Sequence, residues 1–195
     1  TVGEDDSTSG AVSATDVDDS VASYQLTEAA PTGLTFNTDG TYTFDASSYD
    51  ALNAGDTDTV EFTFTGTDDS GGVSDPVTVT ITINGVNDAP VAFDASNLVD
   101  EDSSLNGAVS ATDEDGTVES YQLVGEAPEG LVFNSDGTYS FDADSYDDLA
   151  EGETRDVTAT FTATDDQGAV SATQTLTITV TGSNDAPVAQ DDSAQ

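Results

Sequence analysis

The sequence has no cysteine, no histidine, no lysine and no tryptophan, and Arg155 is its single basic residue. Each absence removes something. Without cysteine no disulfide can staple the fold. A β-sandwich of about 100 residues closes its own core without one, so the gap does not argue for the cytosol. Without His, Cys and Lys, the usual groups for acid–base and nucleophilic work at neutral pH are missing. Only a carboxylate pair of the glycosidase kind stays open, and a small duplicated domain offers no obvious cleft for it. The chain therefore reads as no enzyme. Without Trp, the favoured stacking platform for a sugar is absent. The tyrosines recur in pairs at 24/121, 42/139 and 49/146, at core or turn positions. No apolar run approaches the roughly 18 residues of a membrane span, so this segment inserts in no membrane. No signal peptide opens the chain, and export would rely on a signal elsewhere in a longer protein.

What is present is acid. Forty Asp and Glu against one basic residue give a net charge of −39. Such a field repels nucleic acid and anionic lipid, whose phosphates need a basic surface, and it attracts cations. Leu, Ile, Val and Phe are scarce enough that composition alone also admits a disordered acidic tract. The pattern along the chain argues against disorder.

Residues 4–92 lie on residues 101–189 at a constant offset of 97 with no gap, and 56 of the 89 positions are identical. Gly10-Ala-Val-Ser-Ala-Thr-Asp16 returns as Gly107–Asp113. Asp39-Gly-Thr-Tyr-Thr-Phe-Asp45 returns with one change as Asp136–Asp142. Asn-Asp-Ala-Pro-Val-Ala closes both copies, at 87–92 and 184–189. A unit this long is too large for a solenoid repeat and suits beads on a string. The expected division is 1–88, 89–185, and 186–195 as the opening of a further copy or a linker.

Within a copy the apolar residues alternate with polar ones. Val60-Glu-Phe-Thr-Phe64 and Val77-Thr-Val-Thr-Ile-Thr-Ile83 have the period of two that marks half-buried strands, with threonine on the outer face. Shorter strands are expected at 11–15, 21–26, 33–37 and 41–45. Asp39-Gly40 and Asp136-Gly137, flanked by aromatics, signal hairpins. Tyr24, Leu26, Leu34, Phe36, Tyr42, Phe44, Leu52, Val60, Phe62, Phe64, Val79, Ile81 and Ile83 are the expected core of the first copy. About seven short strands with such turns indicate an all-β chain of two tandem Greek-key antiparallel β-sandwiches, set end to end.

Calcium takes about six to eight oxygens from Asp, Glu, Asn and carbonyl groups crowded at one point. Candidate ligands sit at strand ends and in the link: Asp16 and Asp18 with Asp113 and Asp115, Asp68 with Asp165, and Asn87-Asp88 with Asn184-Asp185. Glu4 and Glu101 lie on the first strand, and Asp56 and Glu153 in a loop. Asp and Asn also favour turns for reasons of their own, and Asp19, Asp50, Asp94 and Asp144 read as surface or turn residues.

The order Glu4 … Ala14-Thr-Asp-Val-Asp18 … Tyr24-Gln-Leu26 … Gly66-Thr-Asp68 … Asn87-Asp-Ala-Pro90 resembles the cadherin repeat, and more closely the bacterial cadherin-like VCBS repeats of large RTX-type adhesins exported by type I secretion. The resemblance spans nearly the whole of both copies. It implies a cadherin-like sandwich and a calcium joint drawn from Glu4, Asp56, Asn87, Asp88, Asp113, Asp115 and Asp165. It implies half-sites at Asp16, Asp18 and Asp68, and at Glu101, Glu153, Asn184 and Asp185. The Asp-Arg-Glu loop of cadherins is replaced by Ala54-Gly-Asp-Thr57, and the link lacks their second Asn. The implied role is that of calcium-rigidified extender repeats on a bacterial cell surface, serving adhesion or biofilm formation. Its partners are calcium and neighbouring repeats of the same chain. The competing reading is a sugar- or protein-binding module of the same kind of surface protein.

Overall fold

The computed structural model describes residues 1–187 and 189. The chain divides into two compact units. The first is residues 1–88 together with the short segment 114–116; the second is 89–113 together with the chain from 117 onward. Most of the expected further copy at 186–195 lies outside the described residues.

Unit 1 contains β1 (Val2–Gly3), β2 (Ser7–Ala11), β3 (Val21–Leu26), β4 (Leu34–Phe36), β5 (Thr41–Asp45), β6 (Thr57–Asp68) and β7 (Val77–Asn84). They form a sheet in the order β1-β7-β6-β3 and a second in the order β2-β5-β4. The alternation along β6 and β7 turns Val60, Phe62, Ile81 and Ile83 inward, against Leu34 and Phe44 of the other sheet. Phe36 and Tyr42 meet Phe62 edge-on across the sheets, with centroids 5.8 and 5.2 Å apart. This packing makes the unit a β-sandwich. Val2 and Ala46 join the buried core, whereas Tyr24, Leu26, Phe36, Tyr42, Leu52 and Val79 are only partly buried.

Unit 2 repeats the plan with β8 (Val91–Ala92), β9 (Ala95–Asp100), β10 (Ser104–Ala108), β11 (Ala111–Thr112), β12 (Val118–Val124), β13 (Leu131–Phe133), β14 (Thr138–Asp142), β15 (Thr154–Asp165) and β16 (Gln174–Thr181). Its sheets run β12-β15-β16-β9 and β10-β14-β13, and β11 pairs with β8 beside them. Its core contains Ala92, Val99, Phe141, Phe161, Ala163, Leu176, Ile178 and Val180.

The hairpins fall where Asp-Gly stands. β4 pairs with β5 through a turn closed by Gly40 at φ +86°, and β13 with β14 through Gly137 at φ +83°. That backbone region suits glycine. Two features differ from the expectation. One early strand of each unit pairs parallel: β1 with β7, and β9 with β16. The strand expected at 11–15 lies at Ser7–Ala11, and Val12–Asp16 carries no strand in unit 1. In unit 2 the matching stretch, Ala111–Thr112, is a strand because Val91–Ala92 lies beside it. The physical reason is a partner: an isolated stretch of extended chain has nothing to satisfy its ladder.

Candidate metal centre

Glu4 directly follows β1 and is fully buried in unit 1. Its carboxylate accepts the Leu52 N–H at Oε2 (3.0 Å) and the Val86 N–H at Oε1 (2.7 Å). A buried acid is tolerated when such donors replace water. These two bonds draw the 50–53 loop and the 85–88 link to the end of β1. Gly85 completes the clasp: a Cβ there would stand 2.2 Å from the Asn53 carbonyl, so the strand exit packs backbone to backbone. A 3₁₀ turn at Ser47–Tyr49 leads to Asp50, anchored by the Tyr49 ring on Phe44 (5.9 Å) and by the Ala46 N–H on the Asp6 carbonyl (3.1 Å).

These local constraints bring Asp5, Asp50 and Asp88 together, each offering an oxygen within 4.8 Å of the others. The Glu114–Gly116 segment counts with this unit, and Asp115 Oδ1 accepts the Asp88 N–H at 3.3 Å. Asp115 is 6% exposed. Asp50 Oδ1, Asp88 Oδ2 and Asp115 Oδ2 are buried with no hydrogen-bond partner. The Asp88 carboxyl is pushed up to about 6, by burial first and then by the charges of Asp5, Asp50, Asp115 and Glu4. Asp5, though exposed, is also raised, by slight desolvation and then by Asp50, Glu4 and Asp6. Buried carboxylate oxygens facing one another without donors are the environment a divalent cation relieves.

Unit 2 builds the same clasp. Glu101 is fully buried and accepts the Leu149 N–H (3.0 Å) and the Ser183 N–H (2.6 Å). Asp102, Asp147 and Asp185 form a second group of the same geometry, all three exposed. The Asp147 carboxyl is raised, first by Asp185, then by slight burial, Asp102 and Glu101.

Asp16 and Asp18 are exposed, and Asp16 Oδ1 accepts the N–H groups of Asp18 and Asp19, which holds its carboxyl below the usual range. Asp68 Oδ1 accepts the Ser70 and Gly72 N–H groups (2.8 Å each). Asp165, 1% exposed, accepts in the same way from Gln167, Gly168 and Ala169. Asp113 is partly buried. Asn87 and Asn184 donate to the carbonyls of the aspartates that follow them. Asp56 and Glu153 are exposed and bonded within their own loop, to Asn53 Nδ2 and the Ala150 N–H, and belong to neither cluster.

Asp5, Asp50 and their counterparts Asp102 and Asp147 carry the clusters although the sequence reading did not select them. The available signal was recurrence: Glu-Asp and Ser-Tyr-Asp return unchanged at the offset of 97.

A strand order that puts an early parallel strand on an antiparallel sandwich, with acids clasped where the unit's last strand exits, defines a cadherin-like fold. The profile of the bacterial cadherin-like domain matches residues 87–182. Among solved structures, human protocadherin-24 EC1-2 aligns at 17% identity over 94% of this chain and 93% of its own, with a TM-score of 0.47. Drosophila N-cadherin EC1-4 aligns at 17% over 85% of this chain, with a TM-score of 0.37. The sialic acid binding region of a Streptococcus sanguinis SK1 adhesin aligns at 11% over 93% of this chain and 76% of its own, with a TM-score of 0.41. The chain spans 42% of that N-cadherin structure. Among curated protein sequences none matches the chain. No helix of the described residues is long and apolar enough to cross a membrane.

Proposed function

We propose that this chain is a pair of calcium-stiffened extender repeats of a large bacterial surface adhesin, of the VCBS and RTX kind, secreted by a type I route to serve attachment or biofilm growth. One observation carries the reading: three buried carboxylate oxygens, on Asp50, Asp88 and Asp115, face their neighbours with no donor. In unit 1 the ion would be held by Asp5, Asp50, Asp88 and Asp115, with Glu4 supporting the clasp. In unit 2 the counterpart set is Asp102, Asp147 and Asp185 with Glu101. Asn87, Asp113, Asp165, Asn184 and the Asp16, Asp18 and Asp68 group enter through the resemblance alone. Calcium would supply the positive charge that mutually repelling acids lack. The residues do the rest. Glu4 spends both oxygens on backbone donors and so fixes the loop and the link. Asp88 sits on the link itself, and Asp115 ties the 114–116 segment to it. Holding those segments together converts a repulsive cluster into a brace, which is what an extender needs.

The test is thermal unfolding in excess EDTA, then in about 5 mM CaCl₂ or MgCl₂, at constant ionic strength so that plain screening is held fixed. Calcium is expected to raise the midpoint by tens of degrees and magnesium to do little, because magnesium keeps its waters. Coincident curves in all three would remove the calcium reading.

A further inference from the structure

Two Asn-Gly pairs occur in the sequence, Asn84-Gly85 and Asn106-Gly107. In such a pair the glycine nitrogen can reach the asparagine Cγ, because glycine has no Cβ to block the approach and its backbone turns freely. Both asparagines are exposed. What separates the pairs is how the peptide between them is held.

Asn106 and Gly107 lie in the middle of β10, registered opposite Ser140 and Tyr139 of β14. The Tyr139 ring covers that backbone: a Cβ at Gly107 would stand 2.4 Å from its hydroxyl. Turning this peptide means lifting β10 from its sheet. Asn84 is the last residue of β7, and Gly85 lies beyond the strand. The peptide between them carries two hydrogen bonds, one on each side. The Asn84 carbonyl accepts the Glu4 N–H (3.1 Å), and the Gly85 N–H donates to the Asp56 carbonyl (2.9 Å). One residue further on, the Val86 N–H donates to Glu4 Oε1 (2.7 Å). The 84–85 peptide is thus part of the clasp and turns when the clasp opens.

Unit 2 has the same clasp without the reactive pair. The Thr181 carbonyl accepts the Glu101 N–H (3.0 Å), and the Gly182 N–H donates to the Glu153 carbonyl (2.8 Å). Threonine has no side-chain carbonyl for the glycine to attack. Glycine itself is required at this exit in both units, since a Cβ would stand 2.2 Å from the Asn53 carbonyl in one and 2.3 Å from the Ala150 carbonyl in the other.

We propose that Asn84-Gly85 is a self-modification site, a deamidating pair that the Glu4 clasp holds shut. In the open clasp the Gly85 nitrogen gives its proton to water and bonds to the Asn84 Cγ. The Cγ–Nδ2 bond breaks, and the side-chain nitrogen takes up a proton and leaves as ammonia. Water then opens the five-membered imide. Attack at Cγ breaks its bond to the Gly85 nitrogen and leaves aspartate at position 84. Attack at the backbone carbonyl carbon breaks the other bond and leaves isoaspartate, with the chain running through Cγ. The isoaspartyl chain is one carbon longer. The carbonyl that accepted the Glu4 N–H becomes a free carboxylate, and Gly85 and Val86 move out of register with Asp56 and Glu4. Either product sets a new negative charge beside the buried Glu4. Unit 1 therefore ages in one direction, each opening of the clasp giving the reaction a chance, while the clasp of unit 2 does not.

The experiment is incubation of the 195-residue chain at mildly alkaline pH in EDTA, followed by peptide mapping with mass spectrometry that distinguishes isoaspartate from aspartate. EDTA makes the outcome independent of the calcium reading. A synthetic peptide of residues 81–88 supplies the rate of the open pair, and the rate in the folded chain is that value multiplied by the fraction of time the pair is open. Asn84 is expected to react more slowly than the peptide, yet at least about tenfold faster than Asn106, whose opening takes a whole strand. Glu4→Ala should speed the reaction at Asn84 by about tenfold and leave Asn106 unchanged. The aged chain should show a lowered urea midpoint for unit 1 alone, and Asn84→Thr, the residue of unit 2, should remove that loss. Equal rates at Asn84 and Asn106, a rate at Asn84 equal to that of the peptide, or an aged unit 1 as stable as the fresh one would each overturn the proposal. The comparison of Asn84 with Asn106 uses the unaltered chain, so it stands even if Glu4→Ala fails to fold.

Discussion

The two units hold the same acids at the same spacing in different surroundings. In unit 2, Asp102, Asp147 and Asp185 all face water, and Asp147 is raised mainly by the charge of Asp185. In unit 1, Asp50 and Asp88 are drawn partly inside, Asp115 lies against the Asp88 backbone, and burial is the first cause of the Asp88 shift. What separates them is the three-residue segment 114–116 that counts with unit 1. The number of carboxylates is therefore a poor guide to where a cation binds tightly. Repulsion among exposed acids is weakened by water and salt, whereas a covered cluster retains its cost until a cation offsets it. Calcium affinity should accordingly be higher in unit 1.

The largest effect probes what the units share. Glu4→Ala and Glu101→Ala each leave two N–H groups, most of them part-buried, without their acceptor and should cost the unit concerned about 2 kcal/mol, from the low end of about 1–3 kcal/mol for each unsatisfied donor. Urea unfolding followed through resolved amide signals of each unit would show this, and a clearly smaller loss in one unit would break the equivalence of the clasps. Next in size is the contrast between covered and open clusters. In EDTA, Asp88→Asn should stabilise unit 1 by about 1 kcal/mol, a value discounted because the side chain still meets water, while Asp185→Asn should leave unit 2 within error. With calcium present the sign for Asp88→Asn should reverse and unit 1 should be destabilised, since Asn is a poorer ligand.

Acidity sharpens the contrast further. The Asp88 pKa of about 6 in the folded unit lies above the ordinary value of 3.8. A folded-state pKa raised in an acid means that the folded form takes up a proton first. Stability contributed by that proton is absent above about pH 6 and grows as pH falls through 6 toward 3.8. Without divalent cations the unit 1 midpoint should thus rise between pH 7 and pH 5, and Asp88→Asn should flatten that rise. Unit 2 should show a weaker rise, because Asp147 is raised by repulsion in the open. The smallest effect concerns the only cation in the sequence. Arg155 holds Asp148 through two bonds of 3.0 and 3.2 Å, both side chains exposed, and sits 5.9 Å from the Tyr146 ring centre. Arg155→Ala should cost unit 2 less than about 1 kcal/mol in denaturation and leave unit 1 untouched.

Much of the sandwich is legible in the residues because its causes are local. Alternation along 60–64 and 77–83 assigns each side chain a face, and Asp-Gly at 39–40 and 136–137 marks backbone that only a tight hairpin uses. The parallel first strand is not legible, since Val2-Gly3 is too short for any period and its partner lies about eighty residues away. Nor is the failure of 12–16 to form a strand. Gly10–Asp16 and Gly107–Asp113 are identical, and they differ in structure only because Val91–Ala92 lies beside the second. The metal cluster divides likewise. Glu4, Asp88 and Asp115 can be selected by motif, but Asp50 looks like any turn aspartate until the Glu4 and Gly85 contacts pull its loop against the link. Asp56 illustrates the converse, an acid at the expected loop whose side chain stays with Asn53.

The lone arginine also has a proteolytic meaning. Trypsin-like enzymes cut after Lys or Arg, so the whole chain offers them one bond, that between Arg155 and Asp156. This bond lies inside β15, where Arg155 is registered opposite Val180 of β16. A protease needs an extended, detached segment, so cleavage waits for β15 to leave its sheet. Tryptic digestion would cut the chain once, report the opening of unit 2 alone, and leave unit 1 whole however often it unfolds.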